Sequence, residues 1–315
     1  MTTPIEGGLA VWYLLTAGSL AVLFWDLFTN TPTGNIMKLA WGLVVLYTGP
    51  IGLVVYLLSC REPLPGTHDA FIKSHWKQAT GSLLHCVAGD ATGIIVSAAI
   101  VYGLALPNGI DLIIEYISAF LVGLFVFQAL FMVGMYGGNY LMAVRKTFFA
   151  ETVSMNMVMV GMIPTMLLLM HAIPEAENPF RAEFWGVMSL ATIAAMITAY
   201  PINSWMVRRG LKHGMMTAIP APKSKAMEGM GGSAGMPADS GMQKPGDAKM
   251  ADHPKMTGRS DMGEMPMDMP MSHSGKAGSN GANLPKSQAI FVLVATFAFL
   301  FLIIWMIAQF VPLRF

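Results

Sequence analysis

The chain has 315 residues, of which 54% are hydrophobic and only 12% are charged, and its mean hydropathy is +0.55. Soluble domains carry about 25% charged residues, so this composition excludes an ordinary soluble domain and indicates a membrane protein. The net charge of +1 argues against nucleic acid as a partner, and the two cysteines, Cys60 and Cys86, do not suggest a disulfide framework.

Seven apolar segments are long enough to cross a bilayer, because a helix rises about 1.5 Å per residue across an apolar core of about 30 Å. Backbone groups in lipid must be hydrogen-bonded within the protein, which favours helices. The predicted spans are Gly8–Phe28, Leu39–Cys60, Ser82–Leu106, Ile110–Tyr136, Ser154–Ile173, Ala182–Val207 and Gln288–Val311. We therefore predict an all-α fold, a polytopic transmembrane helical bundle. It has six helices in residues 1–212, a disordered Met/His-rich loop in residues 213–286 and a final transmembrane helix in residues 287–315.

The orientation follows from positive charges near the span ends, since Lys and Arg gather on the cytoplasmic side. One set of loops carries Arg61, Lys73, Lys77, Arg145, Lys146, Arg208, Arg209 and Lys212, and the other set carries Lys38, Arg181 and Arg314. We therefore expect a protein of the inner (cytoplasmic) membrane whose N-terminus and Met-rich loop are cytoplasmic. Methionine ligands make most chemical sense where thiols are oxidised, which would instead place the Met-rich loop outside the cytoplasm. We follow the charges because consecutive spans agree.

The third predicted span carries His85, Cys86 and Asp90. Cys86 and Asp90 are four residues apart and share one helical face, with His85 adjacent. An ionisable group within a span is a candidate for function. Together with Cys60, these residues predict a low-coordinate Cu(I) site of two thiols and an imidazole. The alternative is a small-residue helix interface in which Asp90 bonds a neighbouring helix.

A stripe of methionines marks the fifth predicted span. Its members fall at steps of four, three, four and four residues and so share one helical face: Met155, Met159, Met162, Met166 and Met170. Such a ladder can pass a soft cation while keeping it from water. Methionine is also a general filler between helices, so packing is the alternative interpretation.

The segment from His213 to His273 holds thirteen methionines but few large apolar companions, a composition that cannot repay its own ordering entropy. A thioether is a soft ligand suited to Cu(I), and imidazole also binds copper. The predicted copper ligands here are His213, Met215, Met216, Met265, Met267, Met269, Met271 and His273. A flexible linker without metal is the alternative.

Three stretches carry a family resemblance. They are His85-Cys86-x-x-Gly89-Asp90, Glu151-Thr-Val-Ser154-Met155-Asn156 with Gly161-Met162, and Pro201-Ile-Asn203-x-Trp205 with Lys212-His213-Gly214-Met215. Together they resemble a bacterial and archaeal membrane family described only as domain of unknown function family 4396, over roughly Trp76–Met215. The resemblance implies a polytopic membrane protein, often with a Met/His-rich insert, and no settled activity.

Two functions compete at this point. The first is Cu(I) binding, transport or delivery, in which copper is captured by the Met-rich loop and the partners are the lipid bilayer and a copper protein. The second is a non-catalytic accessory or assembly subunit of a respiratory or copper enzyme complex. A third class, an intramembrane enzyme built on His85, Cys86 and Asp90, is weaker because no substrate pocket is indicated.

Overall fold

A computed structural model describes residues 4–217 and 284–314, and the regular elements in this part of the chain are helical. The α-helices are α1 Pro4–Thr29, α2 Asn35–Thr48, α3 Pro50–Ser59, α4 His68–Ile72, α5 His75–Tyr102, α6 Asn108–Leu121, α7 Ala129–Met132, α8 Tyr140–Ala172, α9 Ala182–Arg208 and α10 Lys286–Ala308. A π-helical turn, Val122–Gln128, joins α6 to α7, and short 3₁₀ turns occupy Val133–Tyr136 and Pro174–Glu177. The predicted disordered loop falls mostly on residues 218–283, outside the described residues.

Six helical segments among the described residues are long and apolar enough to cross a membrane: Pro4–Thr29, His75–Tyr102, Asn108–Tyr136, Tyr140–Ala172, Ala182–Arg208 and Lys286–Ala308. This confirms the prediction of an all-α, multi-pass membrane protein. Six of the seven predicted spans are recovered, although their ends differ. The largest difference is at α8, where the Asn139 side chain accepts a hydrogen bond from Met142 N at 3.0 Å and starts the helix fourteen residues before the predicted Ser154.

The predicted second span, Leu39–Cys60, does not form one crossing. It consists of α2 and α3, which are separated by Gly49 with a φ of +57°. The rings of Trp41 and Tyr56 lie 5.0 Å apart, whereas one straight helix would separate them by about 22 Å. The chain therefore reverses at Gly49 and forms a re-entrant helical hairpin, whose tip lies against Thr16 in the middle of α1. An apolar run of 22 residues has the same composition whether it crosses the membrane once or turns back on itself.

Contacts near its two ends fix the direction in which α1 runs through the bundle. Asn30 Nδ2 donates a hydrogen bond to the carbonyl of Glu62 at 2.9 Å, so the last turn of α1 lies where the hairpin ends. At its other end, the Tyr13 hydroxyl donates to the carbonyl of Ala182, where α9 begins. Thr33, just after α1, forms a β-bridge with Thr217. The start of α1 and Thr217 thus lie toward opposite ends of the bundle.

Helix α5 occupies the middle of the bundle, and α1 and α10 lie at its periphery. Of the residues in the most apolar stretch of each helix, 72% are buried in α5, compared with 17% in α1 and 11% in α10. Close packing around α5 depends on glycine: a Cβ at Gly93 would lie 2.6 Å from the Cα of Ala119, and one at Gly89 would lie 2.6 Å from the Cα of Gly123. The small-residue interface suggested by the sequence is therefore present, and it brings α6 and the π-helical turn close to the polar face of α5.

Candidate functional site

Seven buried polar residues meet in the interior of the bundle, and we call them the polar centre. They are Ser82, Cys86 and Asp90 on α5, Glu151 and Ser154 on α8, Asn203 on α9, and Lys212 beyond the end of α9. Lys212 is 3% exposed and the other six are fully buried. Polar and ionisable groups are costly inside a membrane bundle, so such a concentration marks a functional site.

Helical periodicity explains why these side chains face one another. The three residues on α5 are spaced by four, and Glu151 and Ser154 on α8 are spaced by three, so each set lies on one face of its helix. Helices α8 and α9 both pack against α5, which turns those faces inward. The sequence predicted the face on α5 but not its partners.

Hydrogen bonds and one ion pair connect five residues of the polar centre. Cys86 Sγ donates to Glu151 Oε2 at 3.0 Å, and Lys212 Nζ donates to Asn203 Oδ1 at 2.9 Å. The same ammonium contacts Cys86 Sγ and lies 3.9 Å from Glu151 Oε2. Asn203 Nδ2 donates in turn to Ser154 Oγ at 2.7 Å. A thiol, a carboxylate and an ammonium therefore form one buried network.

Lys212 supplies the positive charge of this network from outside the spans. Burial alone would lower the pKa of Lys212, but the neighbouring Cys86 and Glu151 outweigh burial and raise that pKa above its usual value. The side chain is therefore an ammonium at neutral pH.

Three carboxylate oxygens in the centre have no hydrogen-bond partner among the described residues: both oxygens of Asp90 and Oε1 of Glu151. They approach the π-helical turn at Gly123, where a Cβ would lie 2.5 Å from Asp90 Oδ1 and closer still to Glu151 Oε1. Glycine is thus required at this position if the two carboxylates are to keep their places.

His85 does not join Cys86 and Asp90 in one site. Its ring packs on Phe131 with centroids 3.7 Å apart, and both ring nitrogens are buried without a hydrogen-bond partner in the described structure. Cys60 lies at the end of the hairpin, where its carbonyl accepts a hydrogen bond from His68 Nε2 at 3.1 Å. Within residues 4–217 and 284–314, no three His, Cys, Asp or Glu side chains are grouped so that they could hold a metal ion. The structure therefore does not assemble the predicted site of two thiols and an imidazole.

The methionine stripe of α8 is buried and has a different feature at each end. Met155, Met159, Met162 and Met166 are 5% exposed or less, and Met170 is partly buried. Glu151 of the polar centre lies four residues before the first of them, on the same face of α8. At the other end is a cavity of about 760 Å³, and the residues that line it include Met166, Met170, Asp111, Glu115 and His171. The stripe thus connects this cavity to the polar centre through the interior of the bundle.

The chain after α9 folds back onto the bundle, although residues from 213 onward were predicted as loop. Met215 is 2% exposed and lies against α5, where a Cβ at Gly81 would be 2.7 Å from Met215 N. The Gln78 side chain donates a hydrogen bond to the Met215 carbonyl at 3.1 Å. This contact holds the junction between the bundle and the insert beside the start of α5.

The other predicted ligands near the junction are not buried with Met215. His213 and Met216 are exposed, and Thr217 is held by His68, whose Nδ1 lies 2.7 Å from Thr217 Oγ1. The remaining predicted ligands lie outside the described residues: Met265, Met267, Met269, Met271 and His273.

Sequence reasoning gave Glu151 and Lys212 no role as ligands or charges of the site. Glu151 entered only as part of a family stretch, and Lys212 also as a positive charge near a span end. Both stand, with Asn203, in the stretches that carried the family resemblance. The 33-residue length of α8, which places Glu151 well inside a helix, is the signal that would have singled it out.

Comparison with known proteins adds a family resemblance but no activity. Residues 75–212 match the family model described as Domain of unknown function (DUF4396), which confirms the resemblance for this segment. The matched segment begins with α5 and ends at Lys212, so it contains the whole polar centre. No curated protein and no solved structure matches the chain.

Proposed function

We propose that this protein moves Cu(I) through the membrane bundle along the methionine stripe of α8. The observation that carries the proposal is that this buried stripe joins the cavity to the polar centre. Successive thioethers three or four residues apart are separated by about 4.5–6 Å along the helix axis, so a soft cation can pass from one to the next. Thioether sulfur suits Cu(I) and is uncharged, so the empty path holds no buried charge along its length.

The cavity suits the collection of a cation at one end of this path. Asp111, Glu115 and Glu177 line it, with Arg314 as its basic side chain. Three carboxyl groups against one guanidinium give the walls more acidic than basic side chains, and their oxygens face the space that a cation would enter. The lining also includes Met166 and Met170, the last two members of the stripe. A cation in the cavity is therefore already beside its first soft ligands.

Breaks in the helices also support transport. The re-entrant hairpin turns at Gly49 in the middle of the bundle, and the π-helical turn Val122–Gln128 borders the polar centre. Pro164 lies within α8 beside the stripe, where it removes a backbone hydrogen-bond donor. Broken helices at membrane depth occur where they line a cavity or an ion site, and π-helical turns are frequent at functional sites.

In this proposal the insert lies in the cytoplasm and exchanges copper with the bundle. With the hairpin taken into account, Lys38 joins the Lys/Arg-rich end of the bundle, where the junction with the insert also lies, while Arg181 and Arg314 lie at the opposite end. The positive charges therefore assign the cavity to the outer face and the Met-rich insert to the inner face. Met215, at the junction, would connect the polar centre to the thioethers of the insert. The sequence contains no phosphate-binding G-x-x-x-x-G-K-[ST] loop, so passage is passive or ion-coupled.

The test is Cu(I) flux in proteoliposomes that contain the purified full-length chain, a reductant and a Cu(I)-specific indicator. The variant Met159→Leu/Met162→Leu removes two thioethers from the middle of the stripe and keeps their volume. We expect it to reduce the initial rate at least about tenfold, while a volume-conserving change costs less than about 1.5 kcal/mol of stability per site. The matched control is Met157→Leu, a methionine on the same helix, off the stripe and only partly buried.

Equal rates for the stripe variant and the control would refute the pathway. If the wild-type chain gave no flux above empty liposomes, the proposed function itself would fail, and an assembly role would become the better interpretation. A second measurement concerns capture: deletion of residues 227–273 should lower the number of Cu(I) ions bound per chain. Unchanged copper content after that deletion would remove the insert from the proposal.

A further inference from the structure

We propose that Asp90 and Glu151 bind one monovalent hard cation of the alkali-metal class beside Gly123. This site goes beyond the copper pathway, because its ligands are carboxylate oxygens. Oxygen ligands select hard cations, whereas the thioethers of α8 select soft ones. The binding stands on its own observations, and only its coupling to copper rests on the proposed function.

The first observation is the set of oxygens. Asp90 and Glu151 are fully buried, and both Asp90 oxygens and Glu151 Oε1 have no hydrogen-bond partner in the described part of the chain. Asp90 Oδ1 and Glu151 Oε1 both lie within 2.5 Å of the point where Gly123 would carry a Cβ. Because both distances start from one point, the two oxygens are less than about 5 Å apart, which one cation with oxygen ligands at about 2.4 Å can bridge.

The second observation is the balance of charge. Asp90 and Glu151 carry two negative charges when ionised, and Lys212 is the positive charge of the centre. The other titratable groups that face the pair are Cys86 on α5, whose thiol donates to Glu151, and Tyr116 on α6, whose hydroxyl donates to Asn156. Both are neutral in these roles. One monovalent cation therefore makes the centre electrically neutral, whereas a divalent ion would leave an uncompensated positive charge in apolar surroundings.

The third observation is that the two carboxylates meet the backbone of the π-helical turn at a glycine. Gly123 lies in the π-helical turn, and Gly89 on α5 lies against it, so two positions without side chains face each other next to the oxygens. A methyl group at residue 123 would overlap both carboxylate oxygens. The lack of a side chain at residue 123 is thus what allows the two unpartnered oxygens to come together at this turn.

Such a cation gives the copper pathway a coupling ion. Glu151 belongs to the proposed cation site through Oε1 and to the Cys86–Lys212 network through Oε2. A cation bound at the first therefore affects the charge and contacts of the second. A Cu(I) ion that reaches Cys86 adds a positive charge to a neutral centre. Release of the alkali cation restores neutrality, which predicts exchange of one ion for the other.

The experiment measures Na⁺ binding to the purified full-length chain in detergent after copper has been removed. Equilibrium binding of radioactive Na⁺ is compared in buffers whose ionic strength is kept constant with N-methylglucamine chloride. We expect saturable binding of one Na⁺ per chain, weakened at least tenfold by Asp90→Asn. The control Asp69→Asn removes an exposed carboxylate from α4 and should leave binding unchanged. Gly123→Ala is the second variant, because it keeps both carboxylates and fills the space between them.

The absence of saturable Na⁺ binding overturns the proposal, and so does binding that survives in both Asp90→Asn and Gly123→Ala. A carboxyl infrared band that responds to pH but not to Na⁺ also overturns it, since a proton would then hold the site. Na⁺ binding without Cu(I) flux would leave this site standing and refute the proposed function. Cu(I) flux without Na⁺ binding would refute this site and leave the proposed function standing.

Discussion

Replacement of Lys212 by Met tests whether the polar centre depends on a buried ammonium. The Lys212 side chain is 1% exposed, Glu151 is fully buried, and Lys212 Nζ lies 3.9 Å from Glu151 Oε2. Removal of one partner leaves an uncompensated charge in the bundle, and breaking a buried pair in this way costs about 3–5 kcal/mol. At about 2–4 °C per kcal/mol for a chain of this size, the unfolding midpoint in detergent should fall by about 6–20 °C.

The control for this experiment is Lys286→Met, which removes an exposed lysine at the start of α10. Thermal unfolding followed by tryptophan fluorescence measures both variants. The double variant Lys212→Met/Glu151→Gln removes both charges of the pair and should recover about 1–3 kcal/mol relative to additive single changes. The reasoning is refuted if Lys212→Met unfolds at the same temperature as Lys286→Met, or if the double variant loses the sum of the two single losses.

Three further results are expected. Gly123→Ala should destabilise the chain by about 1–3 kcal/mol in thermal unfolding, because its Cβ overlaps two carboxylate oxygens. The control Gly134→Ala should cost much less, since a Cβ at residue 134 would have nothing within 4 Å. Equal losses for the two variants would contradict the packing argument. Single cysteines at Gly7→Cys and Ser233→Cys should react with a membrane-impermeant maleimide from opposite sides of oriented vesicles, and labelling from one side would contradict the re-entrant hairpin. Burial lowers the pKa of His68 below 6.5, so the unfolded chain takes up a proton that the folded chain resists as the pH falls below 6.5. The unfolding temperature should therefore decrease as the pH is lowered below 6.5, and His68→Gln should make this decrease smaller. An unchanged dependence of the unfolding temperature on pH in His68→Gln would show that His68 does not cause it.

The crossing helices and the methionine stripe were predictable because they depend on local patterns. An apolar run of about 20 residues identifies a span whatever surrounds it, since the bilayer sets the length. The stripe of α8 follows from 3.6-residue periodicity, and its burial agrees with that expectation. The same rule placed Cys86 and Asp90 on one face of α5.

The direction of the chain at Gly49 was not predictable in the same way. The residues on both sides of Gly49 are apolar, and a crossing helix and a re-entrant hairpin have the same composition. The contact between Trp41 and Tyr56 decides between them. Counting the hairpin as one crossing reverses the inferred direction of α1 relative to the helices that follow it.

The amino-acid sequence by itself determined that this is a multi-pass helical membrane protein with a buried line of thioethers and a Met-rich insert, because length, hydropathy and periodicity are properties of neighbouring residues. Only the tertiary structure brought Glu151 to Cys86 and carried Lys212 back into the bundle, 126 residues along the chain from that cysteine. Contacts of this kind depend on which helix faces meet, and the charge balance at Asp90 and Glu151 exists only after they have met.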